Sequence, residues 1–336
     1  MKCGELEEAA DGWGRVGNRA DAARDRIDTR IVNGLGRTQK GEAARAAVGR
    51  LRRLSKNFQY VYTECGLLRT TLNSLAHELK AQQRVLQGAL DDAAALKFTV
   101  HPDGSVTYPA AGEGLVDGEP LAGGRASGVP NPGLAAPSGL VAPNPNAAPA
   151  QDIADRVARA VRTAADVDWR YARILRALKA EGGLGVGTAT WTDAAGDAAA
   201  VREAANGYLE RGIPTDASPA ERKAWWAGLT DGQREEYLAV YPDLIGNLDG
   251  IPALVRDAAN RDNLQLLMGE LAGRDDADAV TKLAALREID RQLRAVPKPG
   301  SRRCICSASG TRGMGGRSFR MGIRIRRGMW LLMFLG

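Results

Sequence analysis

Residue types that commonly do chemistry are scarce in these 336 residues. There are two histidines, His77 and His101, and four cysteines, at 3, 65, 304 and 306. Cys304-x-Cys306 offers two thiolates, but a structural zinc site takes four ligands and no other Cys or His stands near it, so no metal is expected. His77 falls on the face of its helical segment away from the apolar seam, and His101 sits in a turn beside Pro102. Each reads as a surface or turn residue rather than a base. No serine stands in a Gly-x-Ser-x-Gly elbow, and there is no Walker loop and no His-Glu-x-x-His pair. The "GLGVG" at 183–187 lacks the preceding strand and the third spaced glycine of a dinucleotide loop. Carboxylates in "DGWGRVGNRADAARDRID" and "RDDADAVTK" alternate with arginines and read as solvated helix faces. Residues 1–300 show no active site, and no cofactor is implied.

Charge isolates the end of the chain. From Ser301 onward there are eight arginines and no acidic residue, which leaves residues 1–300 with 38 basic against 40 acidic side chains, a net −2. A polyanion partner would be read from the tail alone. Its arginines among glycines and serines permit a nucleic-acid arm. The competing reading is a tail without selected chemistry, which is the expectation here, so no nucleic acid is expected. "MWLLMFLG" falls well short of the roughly 20 apolar residues that cross a bilayer. The N-terminus has no apolar core of a signal peptide. The protein is expected to be cytoplasmic or exported without a leader.

The elements around these residues are mainly helical. Leu51, Phe58, Cys65, Leu72, Leu79, Leu86 and Ala93 interleave with Leu54, Val61, Leu68, Leu75, Ala89 and Leu96. That is a coiled-coil-like heptad seam with one buried stripe. Leu6, Trp13, Val16, Ala20 and Ile27 repeat the spacing upstream, and "NGLGRTQKG" (33–41) supplies a turn, so an antiparallel helical hairpin is predicted. "FTVHPDGSVTY" (98–108) alternates around Pro-Asp-Gly and predicts a small β-hairpin. Residues 109–150 are rich in Pro, Gly and Ala and read as a disordered linker. A second helical bundle is predicted over 151–297, with capping boxes at Ser218–Glu221 and Thr230–Gln233. The expected domains are 1–108, the linker 109–150, the bundle 151–297 and a disordered basic tail over 298–336.

One stretch carries a resemblance that composition does not. "AWWAGLTDGQREEYLAVYPDLIGNLDGIPALVRDAANR" (224–261) resembles the region ahead of the catalytic domain in an actinobacterial α/β-hydrolase family of unknown physiological substrate. The matching positions are Trp225, Trp226, Leu229 and Gln233, then Gly246, Asn247, Asp249, Gly250 and Pro252, then Arg256, Asn260 and Arg261. "NFQYVYTECGLLRT" (57–70) and the hairpin before it are similar to that family's helical N-terminal unit, which is itself similar to the WXG-type hairpins of type VII secretion. Here Gln39-Lys40-Gly41 stands where Trp-x-Gly would be.

The resemblance implies a hydrolase sheet after "RQLRAVPKPG", entered through an apolar strand like "EPPVYLLGF". The segment Gly300-Ser301-Arg302-Arg303-Cys304-Ile305-Cys306-Ser307 admits codons in which one restored G yields Gly-Glu-Pro-Pro-Val-Tyr-Leu-Leu. The tail is therefore expected to be that segment in the wrong frame. The resemblance then implies a non-catalytic, truncated helical part of a serine-dependent hydrolase, itself inactive. The alternative is a helical adaptor or type VII-exported interaction protein, self-associating or binding a partner through the hairpin. Trp225, Trp226, Leu229, Tyr237 and Leu244 read as bundle core, or else as an apolar face uncovered by loss of the catalytic domain.

Overall fold

In the computed structural model, residues 2–112, 118–128, 144–178, 185–294, 305–313, 316–325 and 329–335 are described; of the side chains in 305–335, Cys306 alone is. The fold is mainly α. The N-terminal hairpin is present. Helix α1 (Cys3–Asp25) passes through a π-helical stretch (Arg26–Val32) into α2 (Asn33–Thr38), and α3 (Glu42–Ala95) returns over 54 residues. Arg69 donates to Asp11 at 3.1 Å and Ser55 to Asp28 at 2.9 Å, so the two arms run antiparallel. The turn falls later than its glycines suggest. Asn33 to Thr38 stay helical, with the Asn33 amide donating to the Thr29 carbonyl and the Thr38 hydroxyl to that of Gly34.

Two compact units are distinguished: Leu75–Ala172, and Lys2–Ser74 with Arg173–Gly336. In the first, β1 (Thr99–Val100) and β2 (Val106–Tyr108) form the predicted hairpin, closed by a His101–Ser105 turn. A third strand, β3 (Gly124–Ala126), adds to β2 from inside the expected linker. Residues 113–117 and 129–143 of that linker lie outside the described residues. The linker ends early: Asn144 donates to the carbonyls of Pro109, Leu121 and Ala122, and α4 (Ala147–Ala177) begins three residues on. Phe98, Val106 and Ala126 of the sheet pack on Ala89 and Ala93 of α3 and Ile153 of α4. His77 is exposed, and His101 pairs through Nε2 with the Thr107 hydroxyl at 2.8 Å.

The second unit holds the first part of α3 and the bundle: α5 (Thr188–Ala205), α6 (Pro219–Gly228), α7 (Asp231–Val240), α8 (Pro242–Asn247), α9 (Ala253–Ala272) and α10 (Ala277–Leu293). Both predicted capping boxes form. Ser218 and Glu221 exchange bonds at 2.7 and 3.3 Å, and Thr230 and Gln233 at 2.9 and 3.2 Å. Along α3 burial extends well beyond one stripe. Ser55, Gln59, Thr63 and Glu64 are buried as well as Cys65 and Leu72, because several helices meet it. Tyr60 packs edge-on to Trp191 of α5, Gly66 meets Ala239 of α7, and the Gln59 amide donates to Asp262 of α9 at 2.9 Å.

Of the tail, the backbone of residues 305–313, 316–325 and 329–335 is described. Strands β4 (Ile305–Gly313), β5 (Gly316–Ile325) and β6 (Met329–Leu335) pair antiparallel in chain order. Ladder hydrogen bonds join backbone groups and do not require a selected side-chain pattern, while seven apolar residues suffice for a strand and fall short of a membrane span. β4 lies against α8 and α9. Among the described residues no helix is long and apolar enough to cross a membrane.

Candidate functional site

The residues from Trp225 to Arg261 lie in one unit, on α6, α7, α8 and α9, and divide into two groups. The first is aromatic. Trp226 and Tyr237 are buried, whereas Trp225, Leu229 and Leu244 are half-buried. The Trp225 ring lies 5.1 Å from that of Tyr237 and 5.9 Å from that of Trp226. Arg234 of α7 donates to the carbonyls of Trp226 and Ala227, each at 3.0 Å, and so satisfies the end of α6. Gln233 is occupied in its capping box. These contacts make the aromatic group a packed corner of the bundle.

The second group is polar and closes the corner between α8 and α9. Gly250 has φ +106°, a left-handed conformation that favours glycine, and it lies against the backbone of Pro219. Pro252 then stands at the N-cap of α9. Arg256 reaches back to the Gly246 carbonyl at 3.1 Å and to the Asp249 carboxylate at 2.7 Å. Asn247 donates to the Asp243 carbonyl at 2.8 Å, while its own oxygen is buried without a hydrogen-bond partner. Asn260, with no exposed surface, donates to the Gly246 carbonyl at 3.2 Å and to the Cys306 carbonyl at 3.3 Å. A side chain at position 246 would run into Asn260, so a glycine lets α8 and α9 approach.

Asp257 is the member the sequence reading passed over. It is buried, accepts from Arg261 Nε at 3.0 Å and accepts the backbone N–H of Cys306 at 2.6 Å. Asp257, Asn260 and Leu264 recur at helical spacing on α9, so the visible signal was two polar residues on a stripe that continues as core. The Cys306 thiol is enclosed by Leu264, Leu286 and Ile289. Burial pushes it up to about 12, with Arg261 opposing and Asp257 adding to the rise. That thiol stays protonated at neutral pH and is no nucleophile. The other half of the Cys-x-Cys pair, Cys304, lies outside the described residues.

Carboxylates also gather between α3 and α5. Glu64 is buried and one of its oxygens has no hydrogen-bond partner. Burial, with the charges of Asp197 and Asp193, pushes it up to about 8, and burial with Asp193 raises Asp197 to about 6. A carboxyl held neutral near pH 7 is a proton donor in search of a substrate, but here it packs inside the bundle. Among the described residues no group of three or more His, Cys, Asp or Glu is arranged to hold a metal ion. A cleft of about 200 Å³ lies beside Trp191, Gln265 and Asp290, lined on another side by Lys56 and Gly187. Comparisons with family models, curated proteins and solved structures found no match.

Proposed function

We propose that this chain is the non-catalytic helical part of an α/β-hydrolase-type protein and carries out no acyl transfer itself. Its role in that reading is to hold the segment that follows α10, where the resemblance expects the first strand of a hydrolase sheet. The observation that supports this most is the α8–α9 corner. Asn260 and Asp257, both within the family-like stretch, converge on the backbone of residue 306, and Asn260 is tied in turn to the carbonyl of Gly246. The frame that the codons for 300–307 admit would have a leucine at that same position, a side chain suited to the neighbours of Cys306, Leu264, Leu286 and Ile289. Acyl transfer requires a nucleophile, a base to activate it and a site for the oxyanion. The sequence offers no Gly-x-Ser-x-Gly elbow for the first of these.

The nucleotide sequence across codons 300–307 tests the frame. A G-run at codon 300 whose one-base extension opens a long reading frame supports the reading, and an early stop in that frame removes it. The adaptor reading draws on exposed apolar residues along the hairpin, with Trp13 at 41 %, Val16 at 42 % and Ile31 at 40 % exposure. In that case the protein is recovered from culture supernatant only when a type VII system is intact.

A further inference from the structure

The pairing of Asp257 and Asn260 needs a reason. A buried carboxylate and a buried amide each cost free energy unless their hydrogen bonds are made. On α9 each makes one of its bonds with the same residue, 46 to 49 positions away in the chain, while the Asn260 side-chain oxygen is buried without a hydrogen-bond partner. Asp257 takes the N–H of Cys306 and Asn260 takes its C=O, from side chains three residues apart on one helix face. In an extended strand the N–H and C=O of a single residue point to the same edge. β4 is an edge strand whose other side pairs with β5, so these side chains occupy part of the edge that the sheet leaves open.

We propose that Asp257 and Asn260 form a strand-docking site. It binds the backbone N–H and C=O of one residue in an extended peptide segment and takes that residue's side chain into the aliphatic pocket of Leu264, Leu286 and Ile289. The occupant in this chain is β4, with Cys306 at the bound position. Backbone recognition does not depend on the sequence of the segment, so the site holds the arginine-rich tail as well as an apolar strand. Selectivity comes from the pocket, whose walls of Leu264, Leu286 and Ile289 favour an aliphatic side chain, because burial disfavours a charge there by more than the nearby Arg261 offsets for an anion. Gly246 belongs to the site as the place where Asn260 is held from the other side. The site stands independently of the hydrolase reading, since an extended segment is all it asks for.

The test uses the full-length chain and amide hydrogen exchange at residue 306, resolved by mass spectrometry. In the parent chain that amide is protected. Asp257→Ala and Asn260→Ala each speed its exchange by roughly tenfold, the scale of one buried hydrogen bond. Slow alkylation of Cys65 reports that the bundle remains folded in these variants. Changes at the bound residue leave the helices intact: Cys306→Leu slows exchange at 306, and Cys306→Asp speeds it. An amide at 306 that exchanges as fast as in an unstructured peptide overturns the proposal. So does unchanged exchange in both α9 variants when these are folded. If the α9 variants lose their helical signal, the position-306 pair decides, and a leucine no better protected than an aspartate overturns it.

Discussion

The side-chain amide of Asn260 donates to the carbonyl of Gly246 at 3.2 Å across the α8–α9 corner, and the glycine is the reason the two helices come that close. An alanine at 246 meets the Asn260 side chain directly. Gly246→Ala is expected to cost about 2 kcal/mol, the scale of overpacking in a closed core. Urea unfolding followed by helical signal measures it, and a variant as stable as the parent contradicts the packing described.

Helix caps give a smaller, separate effect. The Thr230 hydroxyl accepts the N–H of Gln233 at 3.2 Å at the start of α7. Thr230→Ala should cost about 1 kcal/mol. The same is expected of Ser218→Ala at α6, where Ser218 accepts from Glu221. Because α6 and α7 carry the aromatic corner, near-ultraviolet circular dichroism of Trp225 and Trp226 should change together with the melting temperature.

The carboxylates between α3 and α5 set a pH dependence. Glu64 is raised to about 8 in the folded chain by burial and by the charges of Asp197 and Asp193. Between its ordinary value and 8, the folded state therefore holds a proton that the unfolded state has lost. Stability falls as pH rises through that window, and the loss is complete above it. Asp197, raised to about 6, adds to the lower part of the fall. Melting temperatures at pH 5, 7 and 9 should decline in the parent chain and decline less in Glu64→Gln. A parallel decline in the two would remove Glu64 as its source.

Thiol chemistry follows from burial. Cys65 is raised to about 11 by burial, with Glu64 adding to the rise, and Cys306 is raised to about 12. At pH 8 both are protonated and enclosed, so iodoacetamide should leave them unmodified in the native protein and label both in denaturant. Rapid native labelling of Cys306 alone would place it outside the pocket of Leu264, Leu286 and Ile289.

Much of the helical framework was legible because it rests on local signals. The heptad seam of α3, the Ser218 and Thr230 boxes and the Pro-Asp-Gly hairpin each lie within a few residues of chain. What was illegible depends on distant partners. β3 is three residues, Gly-Arg-Ala, with no alternation of its own, and it exists because β2 pairs with it and Asn144 ties off the neighbouring carbonyls. Gln59 and Glu64 look like surface positions of a one-stripe helix and are buried because helices other than α1 also pack on α3. Asp257 reads as a solvated acid until the backbone of Cys306, 49 residues on, is seen to donate to it.

The most direct measurement is hydrolysis of short- and medium-chain p-nitrophenyl esters by the purified full-length chain, with a serine-directed phosphonate as the control. The account predicts release at the rate of buffer alone, unchanged by the phosphonate. Turnover that scales with protein concentration and is abolished by the phosphonate would contradict it.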